Sequence, residues 1–188
     1  MNIQYLKGVG EKRAQLFYKL GVDSVDALLR YYPRTYTNYQ DIVSIFGSEL
    51  NETVCIKAEI ITEIEEHSHR RSMTTYRFLA ADESGQMTVT LFNQGFLAKK
   101  LHKGSTYLFY GKVTGNPYYR EMSSPEIHEE AFSGIHPVYP ACEGLPSSVI
   151  ERTVRSALSC EILDPLSEDL LEKYRLCPLS YALKNIHF

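Results

Sequence analysis

With 188 residues, 44% hydrophobic and 23% charged, and a net charge of −3, the chain has ordinary globular composition and enough length for one medium domain with helical appendages. No run approaches the roughly 18 apolar residues of a membrane span, and the start, MNIQYLKGVGEKR, has no apolar signal core, so no membrane partner is expected. Cys55, Cys142, Cys160 and Cys177 form no CxxC pair, which argues against zinc and fits reduced thiols in a cytoplasmic protein.

In chain order, IQYLKGVGEKRAQLFYKLG reads as helical around a Gly-Val-Gly turn, with Gly21 as its C-cap. Asp23 or Ser24 can cap a second short helix that Pro33 stops. RYYPRTYTNYQD then reads as an aromatic, polar linker. From Thr53 the pattern changes to period two. Val54, Ile56, Ala58 and Ile60 share one face of a strand, with Cys55, Lys57 and Glu59 on the other. EEHSHRRSM reads as a polar loop. TTYRFLAAD and QMTVTLF form a hairpin around DESG, with Met87, Val89 and Leu91 inward. GFLAKKLHKG makes a short helix, STYLFYGKVTG a fourth strand, and YYREMSSPEIH a fifth, broken at Pro125.

This order predicts an α+β chain. A five-stranded OB-fold barrel, with a short helix between its third and fourth strands, is flanked by N-terminal and C-terminal helical segments. The expected division is an arm and linker over 1–46, the barrel over 47–130, and a Pro-rich connector with helices over 131–188. In the last span, Val149, Ile150, Thr153, Val154, Ala157 and Leu158 form a helical stripe after Pro146, and Ser167 opens another helix that ends before Pro178.

No GxxxxGK[ST], GxSxG or HExxH pattern occurs, so no catalytic residue, metal site or cofactor is expected in this chain. Charge is instead segregated. From His67 to Arg120 there are eight basic residues and two acidic ones, a local charge of +6 inside an acidic protein. A local field of that kind guides a polyanion whatever the global sum. Within it, LFNQGFLAKKLHKG sets Phe92 and Phe96 beside Lys99, Lys100 and Lys103. Leu91 takes the inward position, so Phe92 faces out, where a base could stack and the lysines could meet phosphates. Pattern leaves Phe96 open between stacking and plugging the barrel end. Arg70, Arg71 and Arg77 on one side, and Tyr118, Tyr119 and Arg120 on the other, add the same chemistry near the loops that hold oligonucleotides in OB folds. The glycine hairpin near Val9 could approach a phosphate, but reads first as a packing turn.

Four tracts together resemble the N-terminal wedge region of the RecG family of ATP-dependent DNA helicases: LKGVGEKRAQLFYKLGVDSVDALLRYYPRTY, LFNQGF, IHPVYPACEGLPSSVIERTVRSAL and LLEKYRLCPLSYALKNIHF. The resemblance covers nearly the whole chain. It implies binding of branched DNA, replication forks and Holliday junctions, in recombination, repair and fork regression. An F-N-x-x-aromatic step, here Phe92 and Phe96, would stack bases at the branch point and tip Phe96 toward the ligand. It also implies that ATP and magnesium belong to motor domains beyond this chain, and that those domains and a single-stranded-DNA-binding protein are partners. Where the family step often carries tyrosine, Phe96 keeps the ring and loses the hydroxyl. The readings from other classes are an OB-fold protein-interaction module and a stand-alone single-strand binder.

Overall fold

The structure, a computed structural model, describes residues 1–69, 73–132 and 134–188. Contacts gather them into two compact units, Asn38–Gly134 and a second made from both ends of the chain, Met1–Thr37 with Ile135–Phe188. The two ends of the chain thus share one unit, while residues 38–46 of the expected arm and linker and 131–134 of the expected connector fall in the other.

In the barrel unit, β2 (Thr53–Ile60), β4 (Met73–Asp82), β5 (Gly85–Phe92), β6 (Thr106–Asn116) and β7 (Tyr119–Ser123) close on themselves in the order β2-β4-β5-β7-β6-β2. Only β5–β7 is parallel, with Val89 opposite Met122. This is the five-stranded closed topology of an OB fold. Alternation decides which side chains enter. Val54, Ile56, Ala58, Ile60, Phe78, Val89, Leu91, Phe109 and Met122 form the dry core, as period two requires. Closure leaves β2 and β6 no free edge along the Thr53–Lys112 to Glu59–Thr106 register. The fifth strand is interrupted as expected. After Ser123 the chain takes a positive φ at Ser124, passes Pro125, and resumes as β8 (Glu126–Glu129) beside the first half of β6.

Two expectations are corrected. EEHSHRRSM is not simply a loop: β3 (Glu65–His69) pairs antiparallel with β4, from Glu65 opposite Arg77 to His69 opposite Met73. Its residues are polar on both faces because β3 pairs with β4 alone and its first four residues are exposed. The aromatic linker is also ordered. β1 (Thr35–Asn38) pairs with β9 (Ile135–Val138), which lies in the stretch read as a Pro-rich connector. Tyr39 is buried with Cys55 and Leu108, and its hydroxyl donates to Glu126 at 2.6 Å. That cover explains why Cys55, on the outer face of β2, is dry. Burial pushes its thiol up to about 11.

The helical unit holds α1 (Glu11–Lys19), α2 (Val25–Leu29), α4 (Ser147–Leu158), α5 (Glu168–Tyr174) and α6 (Leu179–His187). α1 ends as the sequence predicts: Gly21 has φ +75°, and the Val22 N–H reaches back to the Phe17 carbonyl. The Ser24 hydroxyl accepts from the Ala27 N–H at 3.2 Å and caps α2. Phe17, Leu28, Tyr139, Ile150, Val154 and Ala157 fill the core. At its centre the Tyr139 hydroxyl donates to His187 Nδ1 at 2.8 Å, and His187 Nε2–H donates to the Leu29 carbonyl at 2.9 Å. Among the described residues, no helix is long and apolar enough to cross a membrane.

Candidate nucleic-acid interface

The step at the end of β5 is built by its small and polar residues. Asn93 adopts a left-handed backbone, φ 53°, a conformation asparagine tolerates better than most residues. Its carboxamide oxygen accepts from the Thr74 N–H at 2.9 Å, and its own N–H donates to the Thr74 carbonyl at 2.8 Å. The chain is thereby pinned to β4 as it leaves the sheet. Gly95 opens α3 (Gly95–Ala98) where a Cβ would stand 2.5 Å from the Tyr76 hydroxyl, so a larger residue would have to displace the Tyr76 side chain. The register then fixes the side chains. Leu97, Ala98 and Leu101 pack on the barrel core and act as its plug. Phe96, on the opposite side of the turn, is 78% exposed, and Phe92 is 42% exposed.

Cations surround this pair. Lys100 Nζ lies 4.3 Å from the Phe96 ring centre, a cation–π distance that orients both groups. Lys99 and Lys100 are exposed, and among the described residues neither has an acidic partner within ion-pair reach. Lys103 lies 3.8 Å from Glu63, but both side chains are well exposed, so the pair is weak and readily exchanged. Arg77 is exposed on the outer face of β4, with one guanidinium nitrogen 3.4 Å from the Tyr119 hydroxyl. Arg70 and Arg71 lie outside the described residues.

At the opposite end of β5, Tyr118 is 92% exposed in the β6–β7 turn. Arg120 is not where the sequence reading put it. It is 8% exposed, its guanidinium donates to the Asn116 carbonyl and to the Ser48 carbonyl at 3.5 Å, and it lies 5.4 Å from the Phe46 ring centre. Two backbone acceptors and a ring face occupy it, so it ties segments together and does not offer charge to solvent. Phe46 was missed. It sits in SIFGSEL, a stretch that carries no strand or helix period, and only its position beside Gly85 reveals it.

Asp82 organises this end. Burial pulls its carboxyl up, but hydrogen bonds from the Ser84 hydroxyl and from the N–H groups of Ile45, Ser84 and Gly85 outweigh it and hold it below the usual carboxylate range. Among the described residues, no group of three His, Cys, Asp or Glu side chains could hold a metal ion. What the surface offers is exposed rings, unpaired ammonium groups and a closed barrel behind them, a combination suited to stacking on planar groups and to pairing with phosphates.

The RecG wedge domain family matches residues 2–161. The ATP-dependent DNA helicase RecG of Streptococcus pneumoniae is 24% identical over 190 residues, which cover 99% of this chain and 28% of that protein. Its counterpart in Staphylococcus epidermidis is 29% identical over 203 residues, 97% of this chain and 27% of that protein. A solved structure of RecG bound to a three-way DNA junction matches 100% of this chain and 27% of its own, with a TM-score of 0.87 and 26% identity. The chain spans 27–28% of the length of these relatives. A closed five-stranded barrel and a family match over 2–161 agree: the chain belongs to the RecG wedge domain family.

Proposed function

We propose that this chain is the fork-reading part of an ATP-dependent DNA helicase. It binds branched DNA, stacks unpaired bases at the branch point on Phe92 and Phe96, and splits the strands as motor domains draw duplex past it. ATP and magnesium act in those motor domains, which are its partners in cis. Fork regression, recombination and repair are the processes such a wedge serves, with a single-stranded-DNA-binding protein as a further partner.

The observation that carries this reading is the exposure of Phe96 beside Lys100. An exposed phenylalanine has no hydroxyl or indole N–H to satisfy in water, and each base stacked on such a ring contributes about 1–3 kcal/mol without regard to sequence. Phe92 and Phe96 supply the stacking faces. Lys99, Lys100 and Lys103, with Arg77 on β4 and Arg70 and Arg71 between β3 and β4, supply phosphate contacts that weaken as salt rises. Tyr118 supplies a ring at the other end of the same face, for a single strand that leaves the step. Arg120 has no direct role.

The test is a titration of this chain with a fork, a single strand and a blunt duplex of equal length at low salt. The expected order is fork, then single strand, then duplex. Equal affinity for fork and duplex would overturn the reading. Tightest binding to the plain single strand would favour a stand-alone single-strand binder, and no binding to any of them at micromolar protein would favour a protein-interaction module.

A further inference from the structure

The Gly85 end of β5 carries a groove of about 490 Å³ on the barrel surface, within the size range of small-ligand sites. Phe46, Tyr118 and Tyr119 line it together with Leu79, Gly85 and Thr88. Two of these rings are held in place. The Phe46 ring lies directly on Gly85, where a Cβ would come within 2.3 Å of it, so any side chain at that position would displace the ring. The Phe46 N–H donates to the Ser84 hydroxyl at 3.0 Å, and the Ile45 N–H donates to Asp82 at 2.7 Å. The Tyr119 hydroxyl donates to Glu121 at 2.6 Å. Arg120 binds the Asn116 carbonyl in the hairpin that carries the tyrosines and the Ser48 carbonyl just after Phe46. A buried arginine with these partners links the two segments that carry the rings.

We infer that this groove is a second base-binding slot, which receives a nucleobase of the single strand that leaves the Phe92–Phe96 step. The inference rests on the proposed function and adds a subsite to it. Three observations point to a base. An aromatic lining suits a flat ring, and Gln86 offers a polar group beside it. The slot and the step lie at opposite ends of one eight-residue strand, Gly85–Phe92, roughly 23 Å apart along β5. Between them, Arg77 stands 3.4 Å from the Tyr119 hydroxyl, where its charge can meet a phosphate of a strand crossing the face. A peptide that binds by adding a strand finds no edge here, because β4 and β5 are paired on both sides.

The test uses two forks that differ in one respect. One carries a single-stranded arm of about twelve nucleotides at the branch, within the site size of an OB fold, and the other is trimmed flush. The parent chain is expected to bind the armed fork more tightly. Tyr118→Ala and Phe46→Ala should each lose about fivefold or more on the armed fork and change little on the flush one. Phe96→Ala should lose affinity for both. Tyr118 is almost wholly exposed, so its truncation leaves the fold intact, and a thermal melt of each variant verifies this. If Tyr118→Ala and Phe46→Ala bind the armed fork as the parent does while Phe96→Ala does not, the slot is refuted and the step stands. If the parent fails to prefer either fork over duplex, the proposed function falls and takes the slot with it.

Discussion

The two units treat phenylalanine in opposite ways. The helical unit covers both of its phenylalanines: Phe17 is fully buried, and Phe188 is partly buried with the Arg155 guanidinium 3.6 Å from its ring centre. The barrel unit buries Phe78 and Phe109 in its core and yet leaves Phe46 and Phe92 partly exposed and Phe96 largely so. These three sit at the two ends of one strand pair. A ring with no polar atom gains nothing from solvent, so its cost is accepted where a ligand can cover it. In the first unit a phenylalanine is stability. At the ends of β5 it is left exposed, and the proposed function makes that exposure a binding surface.

The largest expected effect tests the first half of that contrast. Phe17→Ala leaves a cavity in the helical core and should cost about 3–5 kcal/mol, read as loss of amide protection across α1, α2 and α4. Phe92→Ala combined with Phe96→Ala should do the reverse. Thermal stability should move by no more than about 0.5 kcal/mol, while fork affinity falls by about 2–4 kcal/mol, somewhat less than two independent stacks. A double variant that unfolds as readily as Phe17→Ala would mean these rings hold the barrel together.

A smaller effect separates the units by pH. Burial holds His187 below its ordinary value, against a weaker upward pull from its hydrogen bond to the Leu29 carbonyl. As pH falls through about 6.5 the unfolded chain takes up the proton before the folded one does. The helical unit therefore loses stability between about pH 7 and the lowered folded value, by at most about 1.4 kcal/mol per pH unit. Hydrogen exchange in α2 and α6 should quicken over that range, and His187→Gln should flatten the response. A pH response of α2 and α6 that His187→Gln leaves unchanged would assign it to another group. The smallest effect is electrostatic. Lys100→Ala should lower the slope of log affinity against log salt by about one phosphate's worth, measured by titration at several salt concentrations. An unchanged slope would place Lys100 off the DNA path.

The barrel was legible because each core strand alternates and each turn carries its own chemistry: DESG between β4 and β5, and Ser-Ser-Pro where the fifth strand breaks. β3 was not, because a strand paired on one side and exposed elsewhere has no apolar face to repeat. β1 and β9 were hidden for a different reason. Each is a short, Tyr- or Pro-containing stretch, and each finds its partner about a hundred residues away. At the site, Phe92 could be assigned outward from the inward phase of Leu91. Phe96 needed the structure to show that Leu97, Ala98 and Leu101 already fill the plug. Arg120 misled because it follows two tyrosines in a turn sequence, while the carbonyl that helps bury it belongs to Ser48, 72 positions earlier. Phe46 escaped for the same reason: the glycine that seats it lies on another element.

The most direct measurement places 5-iododeoxyuridine at the unpaired position of a fork's branch point and irradiates its complex with this chain. The account predicts a cross-link to the peptide that carries Phe92 and Phe96, lost when both are alanine. A cross-link that forms equally well in that double variant, or only within the helical unit, would contradict it.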